Sequence, residues 1–386
     1  MKSHAFRFVL LMSVVSLFGD MTYEGARSVI GPFFAVLGAS GTIVGVVAGF
    51  SELVGYGLRY YAGIVADRTK RYWDFGIAGY AINLLSVPAL AFARTWPVAS
   101  IFVVGERFGR GLRKPATNAM VSYAGSELGR GWVFGFREAM DQTGATLGPL
   151  IVAGLLFVGA GYTKAFGVLA IPAVLALAVL SFARTLFPIP ASFERKDATQ
   201  RGRVGMDRAF WLYVAGASCL AAGFADFALI SYHFARIQLF AAGMVPIVYA
   251  AAMLAAAIAS PLLGKAYDRF GPRILLPVLL PVAAYAPLAF LGGRWIAVLG
   301  VVLWGVGMGV QDTVFPAVVS ALTPAESRAS ALGAFDAAYG IAWFIGSAVM
   351  GVLYDHGVGT LVLVSLAFQV LLGLPLILAA GWAHHR

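Results

Sequence analysis

Apolar stretches of about 20 residues recur along the whole of this 386-residue chain, parted by short polar breaks. A helix needs about 20 apolar residues to cross the hydrocarbon core of a bilayer, so the pattern predicts an all-α polytopic membrane protein. The charge content agrees. Only 12% of the residues are charged and 60% are hydrophobic, with mean hydropathy +0.83, against about 25% charged in a soluble domain. The breaks predict 12 transmembrane helices near 6–37, 42–66, 73–93, 97–122, 129–158, 163–186, 209–236, 242–266, 273–291, 295–320, 328–354 and 359–380. Residues 187–208 carry Pro188, Pro190, Glu194, Arg195, Lys196, Asp197, Arg201, Arg203 and Arg208, and read as a polar linker between an N-terminal half (1–186) and a C-terminal half (209–386).

The formal charge of +10 comes largely from short loops. Arg68, Lys70, Arg71, Arg130, the linker cluster, Lys265, Arg269, Arg273 and Arg328 fall on one side of the predicted spans, and scattered cases such as Arg94, Lys164, Arg236 and Arg294 on the other. The bias of Lys and Arg toward cytoplasmic loops then places both termini and the linker in the cytoplasm, and disfavours a nucleic-acid partner. The basic and apolar start, Lys2 to Val15, resembles a signal peptide, but polar Asp20 follows it and no small-residue cleavage site does, so it reads as a retained first span. The one cysteine, Cys219, excludes an internal disulfide and a cysteine-based zinc cluster.

Some charges lie inside the spans. The stretch Gly105 to Pro115, GERFGRGLRKP, places Arg107, Arg110 and Arg113 at i, i+3 and i+6 within an apolar segment. An uncompensated arginine at the bilayer centre costs at least about 2.5–3.5 kcal/mol, so this stripe should face a bundle interior and find acids there. The first half supplies six embedded acids, Asp20, Glu24, Glu52, Glu106, Glu138 and Asp141, against six arginines, Arg27, Arg59, Arg107, Arg110, Arg113 and Arg137. Asp20 with Glu24, and Glu138 with Asp141, lie one helical turn apart and are expected to meet the arginine stripe. Asp226, Asp312 and Asp336 in the second half are accompanied by no embedded Lys or Arg; Arg236 sits near the outer end of the 209–236 span, with His233 a turn before it. Such acids are expected to carry a proton or to await a cation. Helix-end capping is the alternative for Asp312 and Asp336.

The two halves echo each other. Gly63, Asp67 and Arg68 return as Gly264, Asp268 and Arg269, about 201 positions on, and Gly135, Glu138 and Gly148 return as Gly333, Asp336 and Gly346, about 198 on. A repeat this long fits the duplicated six-helix bundles of transporters and not a solenoid.

Across essentially its whole length the chain resembles the major facilitator superfamily. GIVADRTKR, holding Gly63, Asp67, Arg68 and Arg71, is similar to that family's G-x-x-x-D-R-x-x-x-R/K loop, and LLGKAYDRFGPR repeats it. Arg107 and Gly111 match its R-x-x-x-G element. Gly144, Gly148 and Pro149, followed by Gly154, resemble its G-x-x-x-G-P antiporter signature, and point to a bacterial, drug/proton antiporter-like branch.

The resemblance implies two six-helix bundles working by alternating access in the bacterial inner membrane, with Asp67 and Asp268 as cytoplasmic latches. It implies a small-molecule substrate, protons and the lipid bilayer as partners, and a monomer. No phosphate-binding loop G-x-x-x-x-G-K-[ST], H-E-x-x-H or G-x-S-x-G is present, so the chain is not expected to be an enzyme or to need a cofactor or metal. A proton gradient is then the energy source. The reading is a proton-coupled antiporter exporting a small amphiphilic or cationic compound. Candidate residues are Asp20, Glu24, Arg27, Arg107, Arg110, Arg113, Glu138, Asp141, Asp226, Asp312 and Asp336. The alternatives are a symporter or facilitator for an organic anion held by Arg110 or Arg113, a divalent-metal exporter using Asp20 and Glu24, and a lysolipid transporter. Tyr23, Phe136, Trp304, Tyr339 and Trp343 are candidate pocket aromatics.

Overall fold

The computed structural model describes residues 2–190, 207–323 and 328–384; most of the polar linker thus lies outside the described residues. Among the described residues every regular element is helical. Nine helical segments among the described residues are long and apolar enough to cross a membrane, from Ser3–Val36 to Val358–Ala380. Two further long helices, Trp96–Leu128 and Arg130–Phe157, carry several of the embedded charges, and Leu275–Leu291 is a shorter apolar helix. The protein is a multi-pass membrane protein. The aromatic and aliphatic side chains left exposed, such as Phe92, Trp295 and Leu363, suit a lipid-facing surface rather than water.

The chain forms two compact units. The first comprises Met1–Phe33, Val54–Ala198 and Ala242–Ala250; the second comprises Phe34–Leu53, Thr199–Ala241 and Ala251–Arg386. In the first unit the Lys2–Arg27 helix packs along Arg130–Phe157, and Tyr72–Ala89 packs along Trp96–Leu128.

Glycine makes the first of these contacts possible. A Cβ on Gly144 would stand 2.2 Å from the carbonyl oxygen of Leu17, and one on Gly148 would stand 2.2 Å from that of Met21. Hydrophobicity gives little drive for helices to associate in lipid, so close approach at small residues matters for the packing energy. The second unit repeats the device: a Cβ on Gly346 would meet the carbonyl of Ala222 at 2.2 Å. The antiporter-like motif is therefore, first of all, a packing seam.

Several predicted helices are interrupted. The first breaks at Ser28 and Val29 between Lys2–Arg27 and Ile30–Val36. The predicted 209–236 helix is not continuous: Arg208–Ala222 ends at Gly223, and Phe227–Arg236 starts after a short unwound stretch. Backbone groups freed inside a membrane must find protein partners, and these do. The Tyr285 hydroxyl donates to Gly223 O (3.1 Å) and accepts from Ala225 N (2.5 Å); Ser365 Oγ also donates to Gly223 O (2.6 Å). Trp304 Nε1 donates to Ala225 O at 3.0 Å. Asp226 therefore sits at a helix start and not in the middle of a helix: its Oδ1 accepts from Ala228 N at 2.9 Å. Trp304 is a fully buried strut of this break rather than an open pocket wall.

Candidate functional site

The charged cluster of the first unit is the candidate site. The Lys2–Arg27 helix contributes Asp20, Tyr23, Glu24 and Arg27, whose spacing of three and four residues places them on one face. Trp96–Leu128 contributes the arginine stripe, Tyr72–Ala89 contributes Tyr80 and Asn83, and Arg130–Phe157 contributes Arg137 and Asp141. Asp20, Glu24, Arg107, Arg113 and Arg137 are all buried.

At its centre the Tyr23 hydroxyl donates to Asp20 Oδ1 at 2.5 Å. The Arg110 guanidinium lies over the Tyr23 ring, 4.8 Å from its centroid. Arg113 lies over Tyr80 at 4.2 Å and reaches toward Tyr23 at 5.7 Å, while its Nε donates to Asn83 Oδ1 at 3.2 Å. A guanidinium over an aromatic face is attracted by the ring quadrupole. Arg113 and Asp141 both act electrostatically on Asp20. Asp141 Oδ1 and the Tyr80 hydroxyl are buried without a hydrogen-bond partner among the described residues.

Around this centre the other charges take separate partners. Glu24 accepts from the Tyr249 hydroxyl and lies 3.7 Å from Arg27 Nη1. Arg107 Nη1 pairs with Glu106 Oε2 at 3.0 Å, and Asn83 Nδ2 donates to Glu106 Oε1 at 2.7 Å. Arg137 donates to Ser16 Oγ and to Asn118 Oδ1, each at 2.9 Å.

The structure brings together Asp20, Arg110, Arg113 and Asp141 of the predicted set. Glu138 is not part of that cluster: it is exposed and accepts from Gln142 Nε2 at 2.8 Å, because it lies off the face that Arg137 and Asp141 present inward. Asp312 is exposed in a π-helical turn, Val310–Val314, and Asp336 is half-buried in Arg328–His356. Sequence reasoning missed Tyr80, Asn83 and Tyr249 as partners. Each comes from another helix, so only the packing reveals it. Tyr23 as the ligand of Asp20 was accessible from the i, i+3 spacing.

In the loop motif, Asp67 is exposed and accepts from the Tyr72 hydroxyl at 3.0 Å. Arg71 Nε meets Asp74 Oδ2 at 2.7 Å. A Cβ added at Gly63 or Gly264 would stand at ordinary contact distance from Pro115 or Thr313, at 3.5 and 3.4 Å. Asp268 is exposed, and Arg269 lies over the Phe270 ring at 5.2 Å. A helix start is capped by a different carboxylate, which the sequence did not single out: Asp355 accepts from Gly41 N, Thr42 N and Thr42 Oγ1 at 2.8, 2.7 and 2.6 Å. Among the described residues no three His, Cys, Asp or Glu side chains converge as metal ligands.

Comparison with known proteins agrees with this architecture. The family model described as Major Facilitator Superfamily matches residues 10–347, with a second match over 227–385. An uncharacterized protein of Mycobacterium tuberculosis is 40% identical over 375 residues, covering 95% of this chain and 91% of that protein. Among solved structures, a mutant of the nucleoside transporter NupG superposes with TM-score 0.79 at 15% identity, covering 97% of this chain and 99% of that one. A bacterial homologue of the human lysosomal transporter Spinster, in an inward-facing and unoccupied conformation, gives 0.77 at 14%, covering 99% and 98%. At such identities these two likenesses speak to the fold alone. On the family match and the full-length relative, this chain belongs to the Major Facilitator Superfamily of membrane transporters.

Proposed function

We propose that the protein is a secondary active transporter working as a proton-coupled antiporter, which exports a small amphiphilic or cationic compound. In this reading twelve spans form two six-helix bundles, 1–186 and 209–386, joined by the 187–208 linker. They expose a midplane site alternately to each side of a bacterial inner membrane, with both termini cytoplasmic. The working unit is a monomer that needs no cofactor beyond the proton gradient.

The observation that carries the reading is the arrangement at Asp20. A buried carboxylate is held by one tyrosine hydroxyl, with two guanidiniums parked on aromatic faces beside it. Protonating Asp20 removes a negative charge from a cluster whose cations stay charged at any accessible pH, because arginine does not deprotonate. The cluster then rearranges, and a cation that had been attracted to Asp20 is released. Asp141 shares the same field and is the second carboxyl able to take part. Intramembrane ionisable groups facing inward are by default on a substrate or proton path.

The same two arginines support one alternative, import of an organic anion by a symporter or facilitator, since guanidiniums recognise carboxylates in bidentate fashion. Proteoliposomes holding a pH dye decide between them. A lipophilic cation added outside should move protons across the membrane in the antiporter. Passive accumulation of an organic anion with no proton movement would contradict the antiport reading.

A further inference from the structure

A cavity of about 800 Å³ opens at the end of the first unit's helices, on the loop that carries Lys70 and Arg71. Its lining is amphiphilic. Lys70, Arg71 and Arg184 share the lining with one carboxylate, Asp74, while Trp73 and Ile189 supply apolar wall. Asp74 bridges two arginines, taking Arg71 Nε on Oδ2 at 2.7 Å and Arg184 Nη2 on Oδ1 at 3.2 Å. The bridge sets the two guanidiniums side by side although they are 113 positions apart in the chain. Each has five N–H donors and gives one nitrogen to Asp74, so both keep donors for an anion. Three cations against one acid leave the site cationic.

The wall is built rather than incidental. Trp73 is buried and its Nε1 donates to Phe187 O at 3.0 Å, tying the chain after the Ala170–Leu186 helix to the start of Tyr72–Ala89. Tyr123 and Tyr72 also line the cavity, and the Tyr123 hydroxyl donates to that of Tyr72 at 3.1 Å. Ile189 is exposed, which leaves apolar surface at the mouth. The combination of paired guanidiniums, a lysine and apolar rim at the end of membrane-crossing helices matches a phosphate ester joined to a hydrocarbon tail.

We propose that this cavity binds the headgroup of an anionic phospholipid, its phosphate on Arg71 and Arg184 and its glycerol and upper chain against Trp73 and Ile189. The loop motif of the family thereby doubles as a lipid-reading element in this chain, separate from the charged cluster that includes Asp20. Lipid charge in the adjoining leaflet would then set how firmly the Arg71–Asp74–Arg184 bridge is held.

The test uses the intact protein in nanodiscs of phosphatidylcholine containing a minor fraction of phosphatidylglycerol, with bound lipid counted by native mass spectrometry. The wild type should retain phosphatidylglycerol over phosphatidylcholine, and Arg184→Gln should weaken that preference about fivefold, as should Arg71→Gln. Arg273→Gln, an exposed cation outside the cavity, should leave it intact. Size-exclusion profiles and melting temperatures confirm that the variants fold. The proposal is overturned if the preference is absent in the wild type or survives both substitutions. It is also overturned if millimolar inorganic phosphate displaces the lipid, since the site would then serve a soluble anion.

Discussion

The hydroxyl of Tyr23 donates to Asp20 one turn earlier on the same helix, and the face of that tyrosine carries Arg110. One aromatic side chain thus touches both signs of charge. Tyr23→Phe keeps the ring and deletes only the hydrogen bond. We expect it to fold and to lower the rate of substrate-driven proton movement by about 10- to 150-fold, the scale of a charged hydrogen bond worth about 1.5–3 kcal/mol. A Tyr23→Phe variant with wild-type proton movement in proteoliposomes would remove the tyrosine from the pathway.

Gly148 and Gly346 occupy equivalent places in the repeat and make equivalent approaches, each against a helix carbonyl. Adding a methyl there forces the helices apart. Gly148→Ala and Gly346→Ala are each expected to lower stability by about 1–3 kcal/mol, read as a drop in melting temperature in detergent. Gly154→Ala, with nothing near its position, is the control and should stay at the wild-type value. Equal melting of all three would mean that the motif is not a packing seam.

Asp226 caps the Phe227–Arg236 helix, which suggests a different outcome from the one its burial alone invites. Asparagine caps as well as aspartate, whereas alanine costs about 0.5–2 kcal/mol. Asp226→Asn should therefore melt and transport like the wild type, and Asp226→Ala should melt lower. Loss of proton movement in a well-folded Asp226→Asn would instead place the proton there.

Asp355 receives three donors from Gly41 and Thr42, two of them backbone. Asp355→Ala removes all three contacts and Thr42→Ala only the hydroxyl. The aspartate variant should lose more stability, by thermal melting, than the threonine variant. The reverse order would show that the threonine is held by something other than this cap.

What the sequence made legible follows from where the information lies. Spans were readable because hydrophobicity is local, and the repeat because Gly63 to Arg269 preserves residue type at fixed offset. The helix ends at Thr69 and Phe157 fall within a few residues of expectation, whereas the Trp96–Leu128 helix runs six residues past the expected end at 122. The break at Gly223 to Asp226 was hidden, because the groups that stabilise it, Tyr285, Trp304 and Ser365, lie about 60 to 140 positions away. The same limit explains the site. Arginine spacing showed a stripe, but which acid each arginine meets depends on helix rotation. Thus Arg107 turns to its neighbour Glu106, Arg110 and Arg113 turn to tyrosine rings, and Glu138 points away.

The central claim is that Asp20 carries the coupled proton, and Asp20→Asn tests it most directly. Reconstituted protein would be assayed twice, for exchange of labelled substrate at equal pH on both sides and for uphill substrate movement driven by a pH gradient. The account predicts that Asp20→Asn keeps the exchange and loses the gradient-driven uptake. Gradient-driven uptake at the wild-type rate in a folded Asp20→Asn would contradict it, and the buried carboxylate would then be a structural partner of Tyr23.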